Sequence, residues 1–280
     1  MALKLMYITN KPEVALIAEA AGVDWIFIDL ETIGKSLRQG HLDTVQSNHN
    51  INDIRKIRKI LTHAKLLVRI NPIHKESKVE IEQVIQAGAD IVMLPYFKTV
   101  EEVEHFTSLI KRQVKSCILC ETPEAVENID SILEVPGIDY VHIGLNDLHL
   151  GYGMTFMFEL LANGTVEYLA NKIRRKNIPF GFGGIARLGQ GTLPAEKVIA
   201  EHYRLGSEMA ILSRSFCHYE VIEDLREVKN IFQTGINEIR KYEQFLEEQQ
   251  CDWFFENQHQ VKKLIDKITT TKTSPTLHFK

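Results

Sequence analysis

Short apolar runs recur along the chain with helix-length segments between them. They are LKLMYIT (3–9), DWIFIDL (24–30), KLLVRI (65–70), DIVMLPY (90–96), KSCILCE (115–121), DYVHIGL (139–145), PFGFGG (179–184) and MAILSR (209–214). Their hydrophobicity is continuous rather than alternating, which marks strands buried on both faces, as in a parallel sheet. The intervening segments carry helical stripes, such as Ile54, Ile57, Ile60 and Leu61, then Val100, Val103, Phe106 and Ile110. Eight strand-and-helix units predict an α/β fold closed as a (β/α)8 TIM barrel. An open doubly wound sheet is the competing arrangement, because periodicity does not demonstrate closure.

The pattern assigns 1–218 to the barrel core. It assigns 219–269 to C-terminal helices, either part of the same domain or an oligomer contact, and 270–280 to a flexible tail. From Tyr219 to about Glu248 a coiled-coil-like stripe runs through Leu225, Val228, Phe232, Ile236, Ile239, Tyr242 and Leu246. Trp253, Phe254 and Phe255 follow and need a cover, from the barrel or from another subunit of a homo-oligomer. One connection, 31–50, is long and polar, as lids and binding loops are, and follows the second strand on the face where barrels do chemistry.

Composition narrows the partners. With 33 basic against 37 acidic residues the net charge is −4, so no long-range field recruits nucleic acid or an anionic membrane. No apolar run spans a bilayer and the first ten residues lack a signal-peptide pattern, so a cytoplasmic location and small-molecule partners are expected. Four scattered cysteines fit a reducing compartment. Cys117 and Cys120 form a CxxC on a strand, where positions three apart face opposite ways, so they read as buried small hydrophobes rather than a metal clasp.

Chemistry concentrates in 121–153. Glu121 and Asp147 are 26 positions apart, enough for a strand end, a crossover helix and the end of the next parallel strand. With Arg69 closing the third strand, three charged groups converge on the C-terminal rim. Two carboxylates without a thiolate make a hard site suited to Mg²⁺ or Mn²⁺, with open positions for a chelating 2-oxo acid such as pyruvate. Such an ion stabilises an enolate, and Arg69 adds fixed positive charge. Each residue also has a plainer reading: Glu121 favouring a helix start at Thr122 and Pro123, Asp147 capping a turn, Arg69 pairing with any acid. The glycines of 181–191, with Arg187, suit either an anion such as a phosphorylated or nucleotide-linked sugar, or a tight turn.

These words together resemble the metal-dependent pyruvate aldolase (HpcH/HpaI) and citrate lyase family: IDLE (28–31), VRIN (68–71), AGADIVMLPYFKTVEEVE (87–104), ETPEAVENIDSILEVPGID (121–139) and IGLNDLHLGYG (143–153). The resemblance implies a (β/α)8 barrel and a metal-dependent carbon–carbon lyase (aldolase) using a 2-oxo acid and an aldehyde, in sugar or polysaccharide metabolism. It implies Glu121 and Asp147 as metal ligands and Arg69 as the enolate-stabilising arginine. Backbone amides of Gly144, Leu145 and Asn146 would hold the substrate carboxylate, and Asp29 and Glu31 would hold metal-bound waters and shape the site. The chain departs from the family at Thr32 and Gln86, which stand where a histidine and aspartate dyad handles proton transfer, and neither is a base near neutral pH. His41, His49, His142 and His149 are the candidates to replace it, with His149 and His41 placed nearest the site and His142 read as a barrel-interior residue. Two rival expectations are an acyl-CoA carbon–carbon lyase and a non-catalytic barrel that binds sugar or oxo acid.

Overall fold

A computed structural model describes residues 2–34 and 48–273. Eight parallel strands close into a barrel in sequence order: β1 (Lys4–Ile8), β2 (Trp25–Asp29), β3 (Lys65–Arg69), β4 (Ile91–Leu94), β5 (Lys115–Cys120), β6 (Tyr140–Ile143), β7 (Phe180–Ile185) and β8 (Met209–Leu212). Closure comes from β1 pairing with β8, with Tyr7 opposite Leu212, which excludes the open doubly wound sheet. The helices between the strands are α1 (Pro12–Ala21), α2 (Ile51–Arg58), α3 (Ser77–Ala87), α4 (Val100–Ile110), α5 (Pro123–Glu127), α6 (Ile129–Ile132), α7 (Leu145–Gly151), α8 (Glu159–Ala162), α9 (Thr165–Arg175) and α10 (Ala195–Leu205). Two long helices end the described chain, α11 (Leu225–Glu247) and α12 (Cys251–Thr273).

Strand parity divides the core in two. Met6, Trp25, Phe27, Leu67, Met93, Cys117, Leu119 and Met209 fill the barrel interior, while alternate residues such as Ile26, Val68, Val92 and Cys120 pack outward beneath the helices. Cys117 and Cys120 therefore do lie on opposite faces. The same parity carries the interior rows of β2, β3 and β5 up to Asp29, Arg69 and Glu121 at the C-terminal rim.

The C-terminal helices pack on the barrel itself. Val228, Phe232, Ile236, Ile239 and Leu246 of α11 are buried, and this helix lies against α1. Polar anchors fix it: Leu3 N–H donates to Glu243 Oε1 at 2.7 Å and Arg240 donates to the Leu3 carbonyl at 2.8 Å. The predicted stripe begins later than expected, because 219–221 form a 3₁₀ turn and Asp224, accepting from the Arg226 N–H, caps the helix. Helix α12 packs on α10 and α8. Trp253 and Phe254 are partly buried there, whereas Phe255 is 62% exposed. Positions 270–273, expected in a loose tail, continue α12. The Thr269 and Thr270 hydroxyls turn back onto carbonyls of the preceding turn, which lets a threonine run stay helical.

Candidate active site

A cavity of about 520 Å³ opens at the C-terminal rim, and Asp29, His49, Arg69, Glu121, Asn146 and Asp147 all line it. Asp29, Arg69 and Glu121 stand at strand ends, Asn146 and Asp147 in the helix that follows β6, and His49 just before α2. Asp29 and Arg69 face each other across β2 and β3, where their positions are in register. The guanidinium grips the carboxylate with two bonds, Nε to Oδ1 and Nη2 to Oδ2, both 2.8 Å, and Glu31 lies 3.4 Å from Nε. Burial works against the charge on Arg69, but Asp29, then Glu31 and Glu121, more than offset it and raise its pKa above the ordinary value. Arg69 is thus a permanent cation held by a planar fork.

Glu121 follows β5 and is 4% exposed. Its Oε1 accepts from the Tyr96 N–H at 3.1 Å, and Tyr96 adopts φ 50°, a left-handed conformation uncommon for a bulky residue. Helix α5 is capped by Thr122, whose hydroxyl accepts from the Ala125 N–H. Glu121 is therefore not spent as the cap. Asp147 sits in the first turn of α7, after the Gly144 N-cap. Gly144 itself borders Glu121: a Cβ there would lie 2.7 Å from Glu121 Oε2 and 2.8 Å from its Cβ. Only glycine leaves the carboxylate its place.

The other expected residues divide. Asn146 reaches the cavity, and Leu145, 1% exposed, packs beneath it. The Gly144 amide is committed to the Cys120 carbonyl at 2.9 Å, so it cannot also hold a substrate carboxylate. His149 is not brought to the cavity. Two residues beyond Asp147 on a helix is a rotation of about 200°, and its Nδ1 bonds the Leu145 carbonyl at 3.1 Å. Arg187 also lies elsewhere, in a separate pocket with Gln190, Asn230 and Thr234 against α11. The glycine loop expected to cradle an anion closes on itself, with the Gly189 N–H donating to Glu196 Oε1 at 2.7 Å and Gly189 and Gly191 at φ 73° and 94°. The turn reading is what the geometry supports. His41 lies outside the described residues. Thr32 is bonded through its N–H to Asn71 Oδ1 at 2.9 Å, and Gln86 is exposed on α3. Neither lines the cavity.

His142 is buried inside the barrel, its Nε2 on the Gly183 carbonyl at 3.2 Å. Burial, helped by the Arg69 charge, lowers its pKa to about 4. His49 does line the cavity. The Asp29 N–H donates to its Nδ1 at 3.0 Å, so the neutral ring carries its proton on Nε2 and serves as a donor.

The opposite wall escaped sequence reasoning. Asn10 and Lys11 after β1, and Ser213, Arg214, His218, Tyr219 and Glu220 after β8, also line the cavity. His218 Nε2 lies 3.5 Å from Glu220 Oε2. Nothing in the local pattern flags these residues. The usable signal was barrel closure, which makes β1 and β8 neighbours. Among the described residues no group of three or more His, Cys, Asp and Glu side chains is gathered as a metal cluster; the acids that line the cavity are Asp29, Glu121, Asp147 and Glu220.

The rim of this closed barrel gathers acids after β5 and β6 and an arginine on β3 around one cavity. The sequence profile of the HpcH/HpaI aldolase/citrate lyase family matches residues 4–158, and the chain belongs to that family. A 2-keto-3-deoxy-L-rhamnonate aldolase of Salmonella paratyphi B is 29% identical over 169 residues, and the match covers 50% of this chain and 58% of that protein. The chain thus matches little more than half the length of this curated relative. Among solved structures, an HpcH/HpaI aldolase from Desulfitobacterium hafniense DCB-2 superimposes with TM-score 0.62 at 17% identity, covering 82% of this chain and 93% of that one. A family protein from Burkholderia cenocepacia J2315 gives TM-score 0.59 at 14% identity, covering 81% and 95%. At such identities these two matches establish the shared fold. No helix among the described residues is long and apolar enough to cross a membrane.

Proposed function

We propose that this protein is a divalent-metal-dependent carbon–carbon lyase that works through the enolate of a pyruvate-type 2-oxo acid and an aldehyde acceptor. The observation that carries the reading is the gathering of Glu121, Asp147, Arg69 and Asn146 around one cavity. The residues fit a hard cation: the donors are carboxylates, and Gly144 keeps open the space beside Glu121 Oε2 that any Cβ would take. Glu121 and Asp147 would hold Mg²⁺ or Mn²⁺, which would act as a Lewis acid on the substrate oxygens.

Arg69 stabilises the negative charge that develops on the keto oxygen, and its bidentate hold on Asp29 keeps it in place without reorganisation. The Leu145 and Asn146 amides, at the start of α7, receive the substrate carboxylate. His49 donates from Nε2 to a substrate oxygen and is not the base, because its Nδ1 lone pair is engaged. His218, oriented by Glu220, takes the hydroxyl proton of the carbon that becomes the aldehyde. In cleavage that O–H bond breaks toward His218, the carbon–carbon bond breaks, and its electron pair becomes the enolate. His218 then gives that proton to C3 of the enolate, which leaves pyruvate, and in synthesis it takes a C3 proton and gives it to the new hydroxyl.

Incubating the protein with pyruvate, an aldehyde and Mg²⁺ or Mn²⁺ should yield a 4-hydroxy-2-oxo acid detectable by mass spectrometry. Chelation should abolish it. His218→Asn should lower kcat by about a hundredfold and remove a limb of the pH profile, as loss of a proton-transfer group does. An unchanged pH profile in that variant would remove His218 from the step.

A further inference from the structure

The four backbone N–H groups that follow β2 all find acceptors on β2, on β3 or just beyond it. Leu30 donates to the Arg69 carbonyl at 2.9 Å and Glu31 to Asp29 Oδ1 at 3.2 Å. Thr32 and Ile33 both donate to Asn71 Oδ1 at 2.9 Å, and the Thr32 hydroxyl reaches the same oxygen at 3.3 Å. Arg69 and Asn71 thus clasp this turn between them: the guanidinium takes the acids, Asp29 and Glu31, and the carboxamide takes the amides. The carboxamide has one allowed orientation. Its Nδ2 donates to Glu80 Oε1 at 2.8 Å, and that oxygen also accepts the Asn71 N–H at 3.2 Å. Reversed, it would set an NH2 against two N–H donors and an oxygen against a carboxylate. Glu80 belongs to α3, which is fixed to the barrel by its buried Ile81 and Val84.

We propose that Asn71, locked by Glu80, is a positioning residue for the reaction: it fixes the turn at 31–33 and so sets the Glu31 carboxylate against Arg69. This rests on the lyase reading above, in which Arg69 stabilises the enolate. Asn71 does not line the cavity, so it acts through the turn and not on the substrate. Glu31 stands 3.4 Å from Arg69 Nε, a longer approach than the 2.8 Å bonds of Asp29, and its field at the guanidinium varies with the path of the backbone that carries it. Thr32 and Ile33 are exposed. Without Asn71, water would satisfy their N–H groups at little cost in stability, while the turn would lose its fixed path. Positioning is thereby separable from folding.

The test takes two readings: pyruvate methyl-proton exchange in D₂O at saturating pyruvate and Mg²⁺ or Mn²⁺, and the NMR resonance of the Arg69 Nε–H in the metal-free chain, assigned by its loss in Arg69→Lys. Asn71→Leu should lower the saturated exchange rate roughly tenfold to a hundredfold, the scale of a misplaced group, and shift the Arg69 resonance. Asn71→Asp keeps the acceptor but sets a second carboxylate against Glu80, and it should do the same. Adding Glu80→Gln gives that carboxylate a donor to face, so the pair should recover both readings to near wild type. If Asn71→Leu fails to fold, the Asn71→Asp series decides. An Arg69 resonance unmoved by the single substitution, or an exchange rate equal to that of an exchanging wild type, overturns the proposal. A pair that recovers neither reading removes Glu80 from the clasp. If the wild-type chain does not exchange, the lyase reading fails, and the clasp is decided on the resonance alone. A shift in the single variant that is reversed in the pair supports it; no shift overturns it.

Discussion

Lowering the pH from 7 to 5 should strip stability from this barrel at two buried imidazoles. His142 bonds the Gly183 carbonyl through Nε2, and His202 bonds the Ser207 hydroxyl through Nδ1 at 2.7 Å while stacking on Phe182 with ring centroids 3.7 Å apart. In each ring the second nitrogen, His142 Nδ1 and His202 Nε2, is buried without a partner. A proton added there has no acceptor, and burial lowers the pKa to about 4 for His142 and to about 3 for His202, the latter helped by His142. Both folded values lie below the unfolded value of about 6.5. The unfolded chain therefore binds more protons, and stability that is full above pH 6.5 falls as the pH drops toward the folded values. At pH 5 an unfolded imidazole is favoured by protonation about thirtyfold, or about 2 kcal/mol for each residue and about 4 kcal/mol together. Glu201, its pKa raised by burial, works in the opposite sense, so the decisive comparison is between variants. Urea unfolding at both pH values should show that His142→Gln and His202→Gln each reduce the loss between pH 7 and pH 5 by about 2 kcal/mol, whatever their stability at pH 7. Variants that lose as much as the parent would refute the burial account.

Other expectations follow from single contacts. Arg69→Met leaves Asp29 buried without its fork and should cost about 3–5 kcal/mol in denaturant unfolding, since the Asp29 side chain is only 2% exposed. Gly144→Ala drives a Cβ to within 2.7 Å of Glu121 Oε2; the proposed metal site then predicts weaker Mn²⁺ binding by calorimetry, and unchanged affinity would argue against Glu121 as a ligand. Of the four cysteines only Cys251 is exposed, while burial raises the pKa of the Cys117 thiol and lifts that of Cys120 to about 12. Native alkylation at pH 8, read by mass spectrometry, should label Cys251 first and the others only on unfolding.

The eight strands were legible because a parallel barrel buries both faces of each strand and so leaves continuous apolar runs. Arg69, Glu121 and Asp147 were legible for a related reason: a charge at the end of such a run has no use in the core. What the pattern hid depends on geometry that spacing alone does not carry. His149 looked close to Asp147 in sequence, yet a two-residue step on α7 turns it to the far side. Arg187 and its glycines looked like an anion cradle, yet Glu196 supplies the loop with an internal acceptor. Lys11 and Arg214 are more than 200 positions apart and line the same cavity because β1 pairs with β8. The stripe on α11 suited either a same-domain helix or an oligomer contact, and α1 of the same chain packs against it.

Exchange of pyruvate methyl protons for deuterium, followed by NMR in D₂O with Mg²⁺ or Mn²⁺, tests enolate formation at this rim without knowledge of the acceptor. The account predicts metal-dependent exchange in the native chain and its loss in Glu121→Ala. Equal exchange in both proteins would contradict the site, and exchange in neither would contradict the chemistry.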